Sequence, residues 1–269
     1  MSIQAIVIDL NQCIRCRTCM VACKVQNNIP PLRKGQVSHY RIRPVEWEEG
    51  KFPDTRRIFI PVLCMQCDKP ACMEACPEDA ISKRADGIVV VDKTKCIACG
   101  ACNQACPYGA PFLMDKADKC DFCVAERLDR GEKTPYCVQS CPGEAMIFGD
   151  LADSSSTVAG LVSSGKALPL CPEFGTDPRV YYVPPAWYKD QWTSLASNDL
   201  FIEALKWREN DLAEPKSSAH SLTRIARSAG FMASPLGGLA TGAVGLGVSL
   251  EYLAERKQKV AEAEKKSET

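Results

Sequence analysis

Sixteen of the seventeen cysteines in this 269-residue chain fall into four groups of four. In order they are Cys13-x2-Cys16-x2-Cys19-x3-Cys23, Cys64-x2-Cys67-x4-Cys72-x3-Cys76, Cys96-x2-Cys99-x2-Cys102-x3-Cys106 and Cys120-x2-Cys123-x13-Cys137-x3-Cys141. Proline follows the last cysteine of the second, third and fourth groups, as Pro77, Pro107 and Pro142. Thiolates in such numbers are ligands for soft metals, and the first and third groups match the run that holds 4Fe–4S clusters in bacterial ferredoxins. Two-residue gaps let a tight loop wrap three thiolates around one cubane with its amides aimed at sulfur, while the fourth cysteine reaches a neighbouring cluster. The spacing predicts that this fourth cysteine opens a short helix, with the proline in a first turn that needs no amide donor. Zinc is the competing chemistry for any single C-x2-C pair. Zinc modules pair two separated C-x2-C units, whereas here three or four cysteines sit in one run and the run recurs.

The elements that must position these loops form an internal repeat. Ala5-Ile6-Val7-Ile8-Asp9 precedes Cys13, and Ile88-Val89-Val90-Val91-Asp92 precedes Cys96; each is a β-branched run, then Asp-x3-Cys. Both read as strands entering a cluster loop. The second and fourth groups are instead followed by strands, at Ala80-Ile81 and at Ala145-Met146-Ile147-Phe148. Residues 80–91 read as a hairpin with Asp86-Gly87 near its turn. The fold class expected is therefore α+β: two nested, duplicated ferredoxin-like units of two 4Fe–4S clusters each, with a β-rich insertion and a C-terminal helix. The inner unit covers about 61–112, and the first and fourth groups close the outer one around it. With the fourth ligand swapped between neighbours, one cluster takes Cys64, Cys67, Cys72 and Cys106, and its neighbour takes Cys76, Cys96, Cys99 and Cys102. A third takes Cys13, Cys16, Cys19 and Cys141, and the last takes Cys23, Cys120, Cys123 and Cys137.

Composition narrows the function. Thirty-three basic and 33 acidic residues leave no net charge, so there is no basic excess with which to hold nucleic acid. Two histidines, His39 and His220, are too few for a histidine metal centre. The first residues lack the basic start and long apolar run of a secretory leader, which weighs against a disulfide framework. No nucleophile–base set and no phosphate loop is visible, so the chain is read as non-catalytic. Arg15, Arg17, Lys24, Lys93, Lys95, Lys116 and Lys119 flank the cysteine groups; each either favours the reduced, more negative cluster or is a solvated surface residue.

The four groups in this order resemble the iron–sulfur subunits of complex iron–sulfur molybdoenzymes, the electron-transfer subunits of dimethyl sulfoxide, polysulfide, thiosulfate and tetrathionate reductases and of formate dehydrogenase. Pro61-Val62-Leu63-Cys64-Met65-Gln66-Cys67, Lys119-Cys120-Asp121-Phe122-Cys123, Phe148-Gly149-Asp150-Leu151 and residues 172–182 carry the likeness beyond the cysteines. It covers about residues 3–185; Lys24, where the other groups have proline, is a departure. All sixteen positions being cysteine, the resemblance implies four 4Fe–4S clusters, a molybdopterin-type catalytic partner, an integral membrane quinone-interacting or cytochrome partner, and a membrane-associated respiratory complex.

Residues 1–185 are thus expected to form the cluster domain, with 24–60 as the β-rich insertion, in which residues 40–43 and 57–60 alternate like two strands. Tyr181-Tyr182-Val183-Pro184-Pro185-Ala186-Trp187-Tyr188 either covers the core or meets a partner, and Cys171, without a group, reads as a buried thiol. A connection spans 186–228. Residues 229–250 carry no charge and are long enough to cross a bilayer, with Gly238-x3-Gly242 suited to a close helix contact. Pro235 and the abundance of small residues leave a second reading, a helix against a partner in water. The charged tail 251–269 carries more basic residues than the segment before the span, which favours a cytoplasmic C-terminus. That places the clusters on the extracytoplasmic face, carried over with a leader-bearing partner; the cytoplasmic face is the alternative. Two other functions compete, a free polyferredoxin and a zinc-stabilised interaction module.

Overall fold

The computed structural model describes residues 2–30, 39–192, 195, 199, 201 and 202. The chain divides into a unit over Met1–Ala213, to which all of these belong, and a second over Glu214–Thr269. The expectations for 229–250 and 251–269 lie outside the described residues. Among the described residues no helix is long and apolar enough to cross a membrane.

Strand β1 (Gln4–Asp9) is the hub. Ala5, Ile6, Val7 and Ile8 are all fully buried, as expected of a continuous apolar run covered on both faces. One face, through Ile6 and Ile8, joins the main core, and the other, through Ala5 and Val7, packs on Val158 and Ala167. Val158 belongs to helix α5 (Thr157–Ser163), which covers that side. Strand β8 (Met146–Asp150) lies antiparallel to β1, with Ile6 opposite Phe148. On the other flank β10 (Val180–Val183) runs parallel to β1 and β9 (Leu168–Pro169) completes the sheet, in the order β8-β1-β10-β9. The aromatic–proline stretch covers the core: Tyr182 and Tyr188 are buried, and the Tyr182 hydroxyl donates to the Pro61 carbonyl at 2.8 Å.

The insertion is a long hairpin of β2 (Ile42–Glu49) and β3 (Arg56–Leu63), antiparallel over its whole length. Ile42, Val45, Ile58, Ile60 and Val62 carry it into the main core. Strand β3 then delivers the chain directly into the Cys64 loop. The inner hairpin is β4 (Ile81–Lys83) with β5 (Val89–Val91), Ile81 opposite Val91. Its turn requires Gly87, which has φ +80° and the Arg179 guanidinium packed where a side chain would start. A two-residue pair, β6 (Phe112–Leu113) with β7 (Ala117–Asp118), follows the third cysteine group.

The helices correct one expectation. Helices α2 (Ala71–Glu74), α3 (Ala101–Ala105) and α4 (Tyr136–Gln139) each contain the third cysteine of their group, Cys72, Cys102 or Cys137. The fourth cysteine does not open a helix; it follows the end of one. Proline therefore acts as a stop: it cannot continue the helix, and it disfavours helical backbone in the residue before it, as at Cys106, where ψ is 114°. The first group shows the converse. With Lys24 in place of proline, α1 (Thr18–Gln26) runs straight through Cys23. Helix α1 packs on α4, and α2 packs on α3.

Candidate metal centres

Each cysteine loop is bent by residues in left-handed backbone. The third residue of every leading C-x2-C has positive φ: Arg15 (57°), Gln66 (49°), Ala98 (59°) and Phe122 (56°). Arg17 and Gly100 repeat the bend after the second cysteine in the first and third groups. Alternation of this kind turns successive amides toward one concave side, the geometry of an anion-holding nest. After three of the fourth cysteines a second device recurs, with Asp79, Gly109 or Glu144 in left-handed backbone followed by alanine. It turns the Ala80 and Ala110 amides back to donate to the Cys76 and Cys106 sulfurs, at 3.3 and 3.4 Å. The Ala98 and Ala117 amides both donate to the Cys96 sulfur at 3.4 Å.

Cys64, Cys67, Cys72 and Cys106 line one cavity of about 350 Å³, walled by Met65, Val89, Tyr108 and Thr176 among others. Cys76, Cys96, Cys99 and Cys102 line a second, of about 340 Å³, and both are partly open to solvent. In the outer part of the fold the Cys120 thiol feels the charges of Cys23, Cys137 and Cys123. The Cys19 thiol feels those of Cys13, Cys141 and Cys16. Cys137 is also near enough to Cys19 for their charges to interact. All seventeen cysteines are free thiols, and Cys171 is fully buried.

Burial dominates the thiol chemistry. It pushes Cys23, Cys67 and Cys72 up to about 12, with neighbouring thiols adding to the rise. It raises Cys120 and Cys137 as well. Exposed Cys16 goes the other way, lowered by the Thr18 hydroxyl and amide. Sets of buried thiols that resist ionising together suit a cationic group that deprotonates them on binding. Donor type, grouping and sulfur-directed amides all fit iron–sulfur clusters. Among the described residues no three His, Cys, Asp or Glu groups gather as tightly as a single metal ion needs.

Spacing alone does not single out several polar residues that serve these loops. Gln66, fully buried, donates to the Cys120 carbonyl and accepts from the Val89 amide, both at 2.7 Å, and so ties the Cys64 loop to β5 and to the Cys120 loop. Arg41 is buried against Asp118 (2.6 Å) and Asp121 (2.9 Å), with Lys93 also on Asp118 (2.7 Å). Its charge draws the Cys23 and Cys123 thiols down against burial. Asn27, just past α1, reaches the Cys23 carbonyl at 2.8 Å and its sulfur at 3.6 Å. The flanking cations divide. Lys95 is exposed, Arg15 and Arg17 pair with Glu46, Lys24 lies over the Tyr40 ring, and Lys116 donates to the Cys96 carbonyl. Lys119 alone among these is fully enclosed, 2% exposed.

Comparison with known proteins bears on this arrangement directly. Residues 55–151 match the 4Fe-4S dicluster domain. A tetrathionate reductase subunit of Salmonella typhimurium is 40% identical, the match covering 66% of this chain and 71% of that protein. The chain belongs to the iron–sulfur subunits of the complex iron–sulfur molybdoenzymes. A polysulfide reductase chain of Wolinella succinogenes is 38% identical over 65% of this chain and 91% of its own length. A sulfite dehydrogenase subunit of Allochromatium vinosum is 35% identical over 78% and 93%. As an iron–sulfur subunit of this family, the chain has a 4Fe–4S ferredoxin-type domain of mixed helix and strand, and its work is electron transfer.

Proposed function

We propose that this iron–sulfur subunit holds four 4Fe–4S clusters and passes single electrons between a molybdopterin-type catalytic subunit and a quinone- or cytochrome-bearing membrane partner. The observation that carries the reading is the convergence of Cys64, Cys67, Cys72 and Cys106 on one cavity and of Cys76, Cys96, Cys99 and Cys102 on the next. In each, three cysteines come from one sequence group and the fourth from another. The same exchange assigns Cys13, Cys16, Cys19 and Cys141 to a third cluster and Cys23, Cys120, Cys123 and Cys137 to a fourth. When bound, each cluster takes up or gives up one electron.

The chain's own residues arrange these sites in series. Helix α2 against α3 joins the first two cavities, Lys119 and Gln66 join the Cys64 loop to the Cys120 loop, and Cys137 beside Cys19 leads to the last site. The sites at the two ends have exposed cysteines, Cys99 and Cys16, each near an exposed isoleucine, Ile97 and Ile14. Sites of exchange with partners belong where the ligands reach the surface. Nesting is supported by the matched construction of the two halves: β1 with β8 and α1 with α4 outside, β4 with β5 and α2 with α3 inside. On this reading 1–185 is the cluster domain, 186–228 a connection and 229–250 the membrane or partner segment. The complex is membrane-associated, with its clusters on the extracytoplasmic face. The chain has no catalytic role of its own.

Anaerobic reduction of the purified full chain tests this. Broad visible absorption that bleaches on adding dithionite is expected. A colourless chain that binds zinc stoichiometrically contradicts the reading.

A further inference from the structure

Lys119 ends in an unusual place for an ammonium group. It donates to the Val89 carbonyl, to the Cys120 carbonyl at 3.2 Å and to the Cys64 sulfur at 3.5 Å. Three donors thus meet three acceptors, and none of the three is a carboxylate. The nearby acids are engaged elsewhere, Asp118 with Arg41 and Lys93 and Asp121 with Arg41. An enclosed cation without a carboxylate partner is costly unless other negative charge compensates it. The Asp121 carboxylate acts on Lys119 from a distance, and less than the Cys64, Cys72 and Cys120 sulfurs do. Two of these sulfurs belong to the set Cys64, Cys67, Cys72 and Cys106, and one to the set Cys23, Cys120, Cys123 and Cys137. Lys119 therefore stands between two thiolate sets, in contact with one sulfur and one carbonyl of the other set's loop.

We propose that Lys119 sets the reduction potentials of the two interior clusters together, raising both, and leaves the two end clusters unaffected. The inference rests on the four-cluster reading. Gaining an electron makes a cluster more negative, and a fixed positive charge in a water-poor setting favours that state. A hydrogen bond from the same ammonium to the Cys64 sulfur adds to the effect. The exposed lysines near other sites are screened by solvent and salt, so they do not serve in the same way. Lys119 acts through the cysteine ligands and touches no reacting partner.

The test is a potentiometric titration, followed by electron paramagnetic resonance, of the cluster-loaded full chain and its variants. Lys119→Gln and Lys119→Met remove the charge, Lys119→Arg keeps it, and Lys95→Gln is the exposed control. In the neutral variants two of the four one-electron steps are expected to move to more negative potential. Each loses about tenfold in its reduced-to-oxidised ratio at fixed potential, or about 59 mV. The other two steps stay, Arg restores the wild-type values and Lys95→Gln moves none. Four unmoved steps in a fully loaded neutral variant overturn the proposal, as does a shift of all four or of one alone. So does failure of both neutral variants to hold four clusters while Arg succeeds, since the charge would then serve only the fold. Iron and acid-labile sulfide are measured on the same samples. A wild-type chain short of four clusters overturns the underlying reading instead.

Discussion

Gln66 shows how a single side chain can hold two loops in register. Its amide answers a buried N–H of β5 and a buried carbonyl of the Cys120 loop at once, and its own backbone is the left-handed bend of the Cys64 loop. Replacing it with leucine keeps the volume but leaves the buried Val89 N–H without this partner, at about 1–3 kcal/mol, and the Cys120 carbonyl with Lys119 alone. Gln66→Leu is expected to destabilise the loaded chain by roughly 1–3 kcal/mol, read as an earlier thermal bleaching of the visible absorption; an unchanged bleaching temperature would remove Gln66 from this role. The four cysteine groups are legible in the sequence because ligand spacing is a local constraint. Gln66 and the burial of Lys119 are not, because each depends on loops distant in the chain meeting in space, Cys120 being 54 positions from Gln66. The recurring left-handed bends have a partial signal in Gly100 and Gly109, which stand at two of them.

At the scale of elements, the strands leading into Cys13 and Cys96 and the hairpin of β4 and β5 follow from β-branched runs and an Asp-Gly turn. Strand β10 is harder to read, because its parallel pairing joins Ile6 to Val180 across most of the domain and tyrosines fit a strand and a surface equally well. The helices carry the larger lesson. Spacing predicts that they open at the fourth cysteine, but they contain the third, and proline after the fourth, which suits the opening of a helix, is here the terminator. Lys24 then has a physical meaning: without proline, α1 continues through Cys23, and Asn27 closes it. Lys24→Pro should remove the last turn of α1 at a cost of about 3 kcal/mol. It should also release Asn27 from the Cys23 sulfur. Circular dichroism and cluster content of the full chain check this, and a variant as stable and as fully loaded as the parent would show that α1 does not depend on its last turn.

Across the whole molecule, thiols are built into the cores. The smaller inner core of Cys72, Ala80, Ile81, Val89, Cys96, Cys102 and Ala117 is nearly half cysteine, and two of its other four residues are alanine. Apolar burial at about 25 cal/mol per Å² yields little from such side chains, so metal–thiolate bonds must supply part of the folding energy, as in other small metal domains. Removing the clusters under reducing conditions with an iron chelator is expected to abolish the near-ultraviolet dichroism of the tyrosines and tryptophans in the same step as the visible colour. Retention of that signal in the colourless chain would show a core that stands without its clusters. The order of the four sites, the exposed ends and the shared interior charge at Lys119 all depend on each site holding a cubane.

Metal and sulfide analysis of the anaerobically purified full chain therefore tests the account most directly. Four cubanes on sixteen cysteines predict about sixteen iron and about sixteen acid-labile sulfide per chain, with no stoichiometric zinc. About four zinc per chain without sulfide, or iron and sulfide that saturate at half the predicted content, would contradict it.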